Sequence, residues 1–118
     1  MDRLWRATLN TWSGLRTVTQ SERAFQQELF VLVVAVPVAF ALAPNAATWF
    51  MLIGSLVFVM VVELLNTAVE KLCDRVTRDH DTLIGQVKDI GSAAVGIALL
   101  FAGAVWLWVL ATRFWFYL

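Results

Sequence analysis

Among its 118 residues the chain has one cysteine, one histidine, two prolines and six glycines. A lone Cys73 excludes an intrachain disulfide. With His80 it offers only two ligands of the kind that structural zinc sites use in fours. Cys73 therefore reads as helix packing. The glycines do not form the phosphate-cradling loop of P-loop enzymes, and no protein-kinase signature is present. No internal repeat, low-complexity tract or linker divides the chain, which reads as one domain over 1–118. Net charge is missing too, since nine basic residues balance nine acidic ones. That balance says little about partners, and no nucleic acid is expected among them.

Apolar surface is what the chain has in quantity: 60% of the residues are hydrophobic and the mean hydropathy is +0.74. Three uncharged runs stand out at 29–43, 46–62 and 90–112. About 20 residues are needed to cross hydrocarbon, so the third run spans alone and the first two extend into their polar flanks. Ala41-Leu42-Ala43 has the look of a signal-peptidase site, but a leader containing Glu22 and Glu28 has a poor positive region. The first run is therefore read as a span.

Before the spans, residues 1–20 place Leu4, Trp5, Leu9, Trp12 and Leu15 on one side of a helical wheel and Arg3, Arg6, Asn10 and Thr17 on the other. Such a helix suits the membrane surface, where its simplest role is as an anchor. Ser21 is positioned to cap the next helix, and Pro37 permits a kink in it. The fold class expected is an all-α membrane protein: a surface helix at 1–20, spans at 22–44, 46–73 and 88–113, and a cytoplasmic loop at 74–87.

The basic residues orient this arrangement. Arg3, Arg6, Arg16 and Arg23 precede the first run and Lys71, Arg75, Arg78 and Lys88 lie between the second and third, while the Pro44-Asn45 link has none. The N-terminus and the second loop are then cytoplasmic. Arg113, Trp115, Phe116 and Tyr117 would sit at the far interface.

Within the second span the run VVELLNTAVEKL places Glu63, Asn66, Glu70 and Asp74 in one narrow angular strip. A helix entering near Ala46 and rising about 1.5 Å per residue leaves about 30 Å of hydrocarbon near Asn66. Glu63 is then just inside the boundary and Glu70 just outside. Carboxylates are costly in such a place and usually work for their position. Asn66 can hydrogen-bond either one. As interhelical glue alone the strip is overbuilt, because an Asn would suffice. The third span opens with Lys88, Asp89, Ser92 and Gly96, followed or flanked by small residues that allow close helix approach. Lys88 and Asp89 also fit a bland role as boundary charges. Two function classes remain open on these residues: a small proton-coupled transporter with an intramembrane Glu as relay, and a metal-dependent enzyme acting on lipid. A carrier site belongs near the midplane, where neither Glu63 nor Glu70 falls.

The stretch from Val61 to Leu100, VVELLNTAVEKLCDRVTRDHDTLIGQVKDIGSAAVGIALL, with SERAFQQE from Ser21, closely resembles the small bacterial integral-membrane diacylglycerol kinases. The resemblance covers essentially the whole chain. It implies transfer of the ATP γ-phosphoryl group to the 3-hydroxyl of diacylglycerol, giving phosphatidic acid, by a homotrimer in the inner membrane. It makes Glu63 the general base, oriented by Asn66, and makes Glu22 and Glu70 the Mg2+ ligands. It assigns Arg3, Asn10, Glu22, Glu70, Asp79, His80, Asp81, Lys88 and Asp89 to the nucleotide, and Arg3, Trp12, Glu28, Glu63 and Ser92 to the lipid substrate. Asn10 stands where close relatives carry an aromatic residue, and His80 is one place from its familiar position. A sister branch with a similar Glu-Leu-Leu-Asn-Thr-Ala core phosphorylates undecaprenol, but the DIGSAAV run from Asp89 favours diacylglycerol. Glu22 lies on a different helix from Glu63 and Glu70, so a neighbouring chain is expected to complete the site.

Overall fold

A computed structural model describes residues 2–115 as four helices: α1 (Asp2–Ser21), α2 (Arg23–Leu42), α3 (Ala46–Val76) and α4 (Thr82–Phe114). Three of them, α2, α3 and α4, are long and apolar enough to cross a membrane. The expected interface residues Phe116 and Tyr117 lie outside the described part.

Each boundary has a local cause. In α1 the hydroxyls of Thr8, Thr11, Thr17 and Ser21 donate to the carbonyl four residues earlier at 2.8–2.9 Å, which satisfies them within the helix. Ser21 is thereby used up, and the expectation that it caps the next helix is corrected. Glu22 occupies the cap position, extended at φ −108° and ψ 111°, and its side chain makes no capping bond. The corner is tied instead by Gln26 Nε2, which donates to Thr19 O at 2.8 Å.

Helix α2 ends at Leu42 rather than at 44, because Pro44 forces Ala43 into extended backbone at φ −76°, ψ 128°. Asn45 then caps α3, accepting from Thr48 N at 2.8 Å. At the other end of the bundle the helices run further than expected. Helix α3 continues to Val76 and α4 starts at Thr82, so of the loop expected at 74–87 only 77–81 is not helical. Charged side chains do not mark where helical hydrogen bonding stops. Asp81 sets the start of α4 by accepting from Ile84 N at 3.0 Å.

Helix α3 is the centre, packed most extensively on α4 and then on α2. Where they meet, buried Val59 faces the small residues Ala98 and Ala102, which let the backbones approach. Nearer the 43–45 turn, Ala39, Leu52 and Val109 form a second buried cluster. Two indoles stitch this end: Trp49 Nε1 donates to Val36 O at 3.1 Å and Trp106 Nε1 to Leu52 O at 3.2 Å. The first bond lands beside Pro37, which cannot donate within α2. At the opposite end Val18 of α1, Phe25 of α2 and Met60 of α3 close a third cluster. That contact anchors α1, whose residues 2–17 are otherwise exposed. The spanning windows bury only 17–22% of their residues inside the chain, so most of their apolar surface is left for lipid or other chains.

Candidate active site

The third cluster holds the α1–α2 corner against α3, and this brings the acidic residues together. Glu22 sits at the corner itself, where the missing capping bond leaves its carboxylate available. It meets Lys71 Nζ at 3.9 Å. Glu63, half-buried, lies within electrostatic reach of Glu70 and Glu22. Glu28, further along α2 and also half-buried, lies within reach of Glu63. Its Oε1 is buried with no hydrogen-bond partner among the described residues. Within one chain the charge of Glu22 is felt at Glu63.

Asn66 is almost fully buried and donates from Nδ2 to Glu70 Oε1 at 3.1 Å. The sequence left it free to serve either carboxylate, and the family pattern gave it Glu63. The geometry gives it Glu70. A bond to a charged acceptor is stronger than one between neutral groups, and it fixes which way the amide faces. On the aqueous side of this pair, Lys88 Nζ donates to Asp74 Oδ1 at 2.7 Å, joining α4 to α3. Both side chains are exposed, and Asp74 lies beyond the span read at 46–73. The Lys88 hydrogen bond and charge hold the Asp74 carboxyl below the ordinary aspartate range, with a smaller contribution from Arg78.

The remaining expected residues are more dispersed. Asp89 and Ser92 are exposed on the first turns of α4, near Lys88. Asp79 and His80 lie in the 77–81 link, where Asp79 N donates to Thr77 Oγ1 at 3.1 Å. Asp81 is occupied as the α4 cap. Arg3 and Trp12 are exposed on α1, while Asn10 lines a cleft of about 430 Å³ between α1 and α3 with Gly14, Leu64, Thr67 and Lys71.

Two partners were not assigned from the sequence. Lys71 was counted only as an orienting charge, and nothing in the sequence aims it at Glu22. Asp74 and Lys88 stand at unequal distances from the 77–81 link, so the spacing alone does not pair them.

Among the described residues no three His, Cys, Asp or Glu side chains come together to hold a metal ion. Glu22 and Glu70 nonetheless offer hard carboxylate oxygens around Glu63. That donor set fits a cation that takes one or two protein carboxylates and completes its shell with phosphate and water.

Residues 9–110 match the family model described as prokaryotic diacylglycerol kinase. The chain is 40% identical over 112 residues to a diacylglycerol kinase of Escherichia coli K12, covering 95% of this chain and 92% of that protein. A diacylglycerol kinase of Haemophilus influenzae is 38% identical over 100 residues, 85% of each chain. One from Pseudomonas aeruginosa is 34% identical over 110 residues, 93% of this chain and 89% of the relative. The matched span includes every expected site residue except Arg3.

Proposed function

The chain belongs to the prokaryotic diacylglycerol kinase family, and from that premise we propose that it phosphorylates diacylglycerol with ATP at the cytoplasmic face of the inner membrane. What supports this reading is that Glu22 and Glu70 lie within electrostatic reach of Glu63 on a chain with three helices apolar enough to cross a membrane, a group we place at the boundary with water. Lipid and nucleotide have to meet at such a boundary.

In this reading Glu63 accepts the proton of the lipid 3-hydroxyl as the oxygen attacks the γ-phosphorus. Its position just inside the hydrocarbon boundary suits a lipid-borne hydroxyl. Phosphoryl transfer depends mainly on positioning and on stabilising phosphate charge. Lys88 is the cation for phosphate, carried on α4 with Asp89 and Ser92 beside it, and Asp74 holds its ammonium in place. Asn66 fixes the rotamer of Glu70. Glu22 and Glu70 would hold Mg2+, which would supply neutralisation of phosphate charge there. Lys71 balances Glu22. Glu28, in reach of Glu63, lies on the lipid side with Trp12 and Arg3 of the surface helix. Asn10, Asp79, His80 and Asp81 border the nucleotide. The protein works as a homotrimer with its N-terminus in the cytoplasm, and the apolar faces left open by one chain meet neighbours as well as lipid.

Purified protein given Mg2+, ATP and diacylglycerol in mixed micelles should form phosphatidic acid and ADP in equal amounts. ADP release that does not depend on diacylglycerol would overturn the proposal.

A further inference from the structure

Asn66 carries an unpaired atom in a crowded place. Its side chain is buried to 8% exposure. Its Nδ2 is committed to Glu70, and its Oδ1 is buried with no hydrogen-bond partner among the described residues. The amide cannot turn over, because that would point a carbonyl oxygen at a carboxylate. Oδ1 therefore faces away from Glu70, toward α4. The residue it faces is Gly91: a Cβ built there would overlap Oδ1, and the Asn66 Cγ would stand at 3.5 Å. Gly14, Gly54, Gly85, Gly96 and Gly103 have nothing within 4 Å of such a Cβ. Gly91 alone among the glycines has its missing side chain replaced by a site residue.

We propose that Gly91 is a positioning residue for phosphoryl transfer: the absence of a side chain there seats the Asn66 amide, which in turn aims Glu70 at the nucleotide. This rests on the kinase reading above. Ordinary helix approach through small residues would not single out Gly91, since α3 and α4 already meet closely through Ala98 and Ala102. In a Gly91→Ala chain the new methyl group and Oδ1 compete for one volume. Either Asn66 rotates and releases Glu70 or α4 moves off α3.

Four chains separate these outcomes: Gly91→Ala, Asn66→Ala, the double variant, and Gly96→Ala as a control for adding a methyl group to the same helix. The first readout is the Asn66 side-chain amide resonance in detergent or lipid, which reports the amide's surroundings without turnover. It should shift in Gly91→Ala and stay in place in Gly96→Ala. The second readout is kinetic. Gly91→Ala should lower kcat/KM for ATP about tenfold, as expected for one lost bond to a charged group, with the lipid KM changed less than about twofold. Adding Gly91→Ala to Asn66→Ala should cost less than about twofold more, because the oxygen it displaced is gone. Should Gly91→Ala not fold, the double variant should recover folded protein. An unshifted amide, a further tenfold loss in the double variant, or a double variant that folds no better would each overturn the proposal. If the wild-type chain phosphorylates no lipid, the kinase reading fails by itself and the resonance still decides whether Gly91 seats Asn66.

Discussion

Replacing Glu63 by glutamine separates its chemistry from its packing. The two side chains have nearly the same shape, and Glu63 is half-buried on α3, so the amide occupies the same space. The Asn66–Glu70 hydrogen bond at 3.1 Å and the Glu22–Lys71 pair at 3.9 Å do not involve Glu63. They should survive, and with them the KM for ATP. What disappears is the proton acceptor. Loss of a general base lowers kcat by about 10² to 10⁴, or about 2.7 to 5.5 kcal/mol of barrier. Glu63 also lies within reach of the charges on Glu22, Glu28 and Glu70. Removing its charge relieves repulsion, so Tm in detergent should hold or rise. The assay is transfer of labelled γ-phosphate from ATP to diacylglycerol at saturating lipid, with ATP varied. A near-normal kcat would remove Glu63 from the chemistry. A low kcat with a large fall in Tm would show that Glu63 matters for folding, and the argument from geometry would fail.

Other outcomes follow from the same structure. Cysteine at His80, in a Cys73→Ala background, should react with an impermeant thiol reagent only after the inner face is exposed, and a reporter fused after Leu118 should lie outside; labelling at 80 from outside intact cells would invert the orientation. Trp106→Phe removes the donor to Leu52 O at 3.2 Å and should cost about 0.6 to 2 kcal/mol, read as a shift in Tm, while leaving kcat unchanged. Because Lys88 lowers the folded-state pKa of Asp74, that pair contributes stability above the ordinary aspartate value of 3.8, and the contribution is lost as pH falls through the lower folded value; carboxyl titration by NMR should find Asp74 below 3.8 in the wild type and back near it in Lys88→Met. Withdrawing Mg2+ with a chelator should abolish transfer and restoring it should recover activity, with Glu22→Gln and Glu70→Gln each raising the Mg2+ needed.

The helices were legible because their signals are local. The uncharged runs at 29–43, 46–62 and 90–112 fall inside α2, α3 and α4, save Ala43 at the cap, and the strip from Glu63 to Asp74 needed only the helical repeat. The ends were harder. Lys71, Arg75 and Lys88 marked the approach to water, yet charged side chains extend from a helix as readily as from a loop, so α3 and α4 ran past the expected limits. Ser21 carried a capping signal but bonded back to Thr17. What the sequence withheld was the register between elements. Whether Asn66 turns to Glu63 or Glu70, whether Lys71 meets Glu22, and whether Gly91 faces Asn66 all depend on how helices slide and rotate against each other. Packing decides that through contacts such as Val18 with Phe25 and Met60, which have no periodic signature.

The most direct test of the central claim is the identity of the product. Purified protein in vesicles holding equal amounts of diacylglycerol and undecaprenol, supplied with Mg2+ and γ-labelled ATP, should place the label on phosphatidic acid, and the Glu63→Gln chain should place little anywhere. Label chiefly on undecaprenyl phosphate, or on neither lipid, would contradict the account.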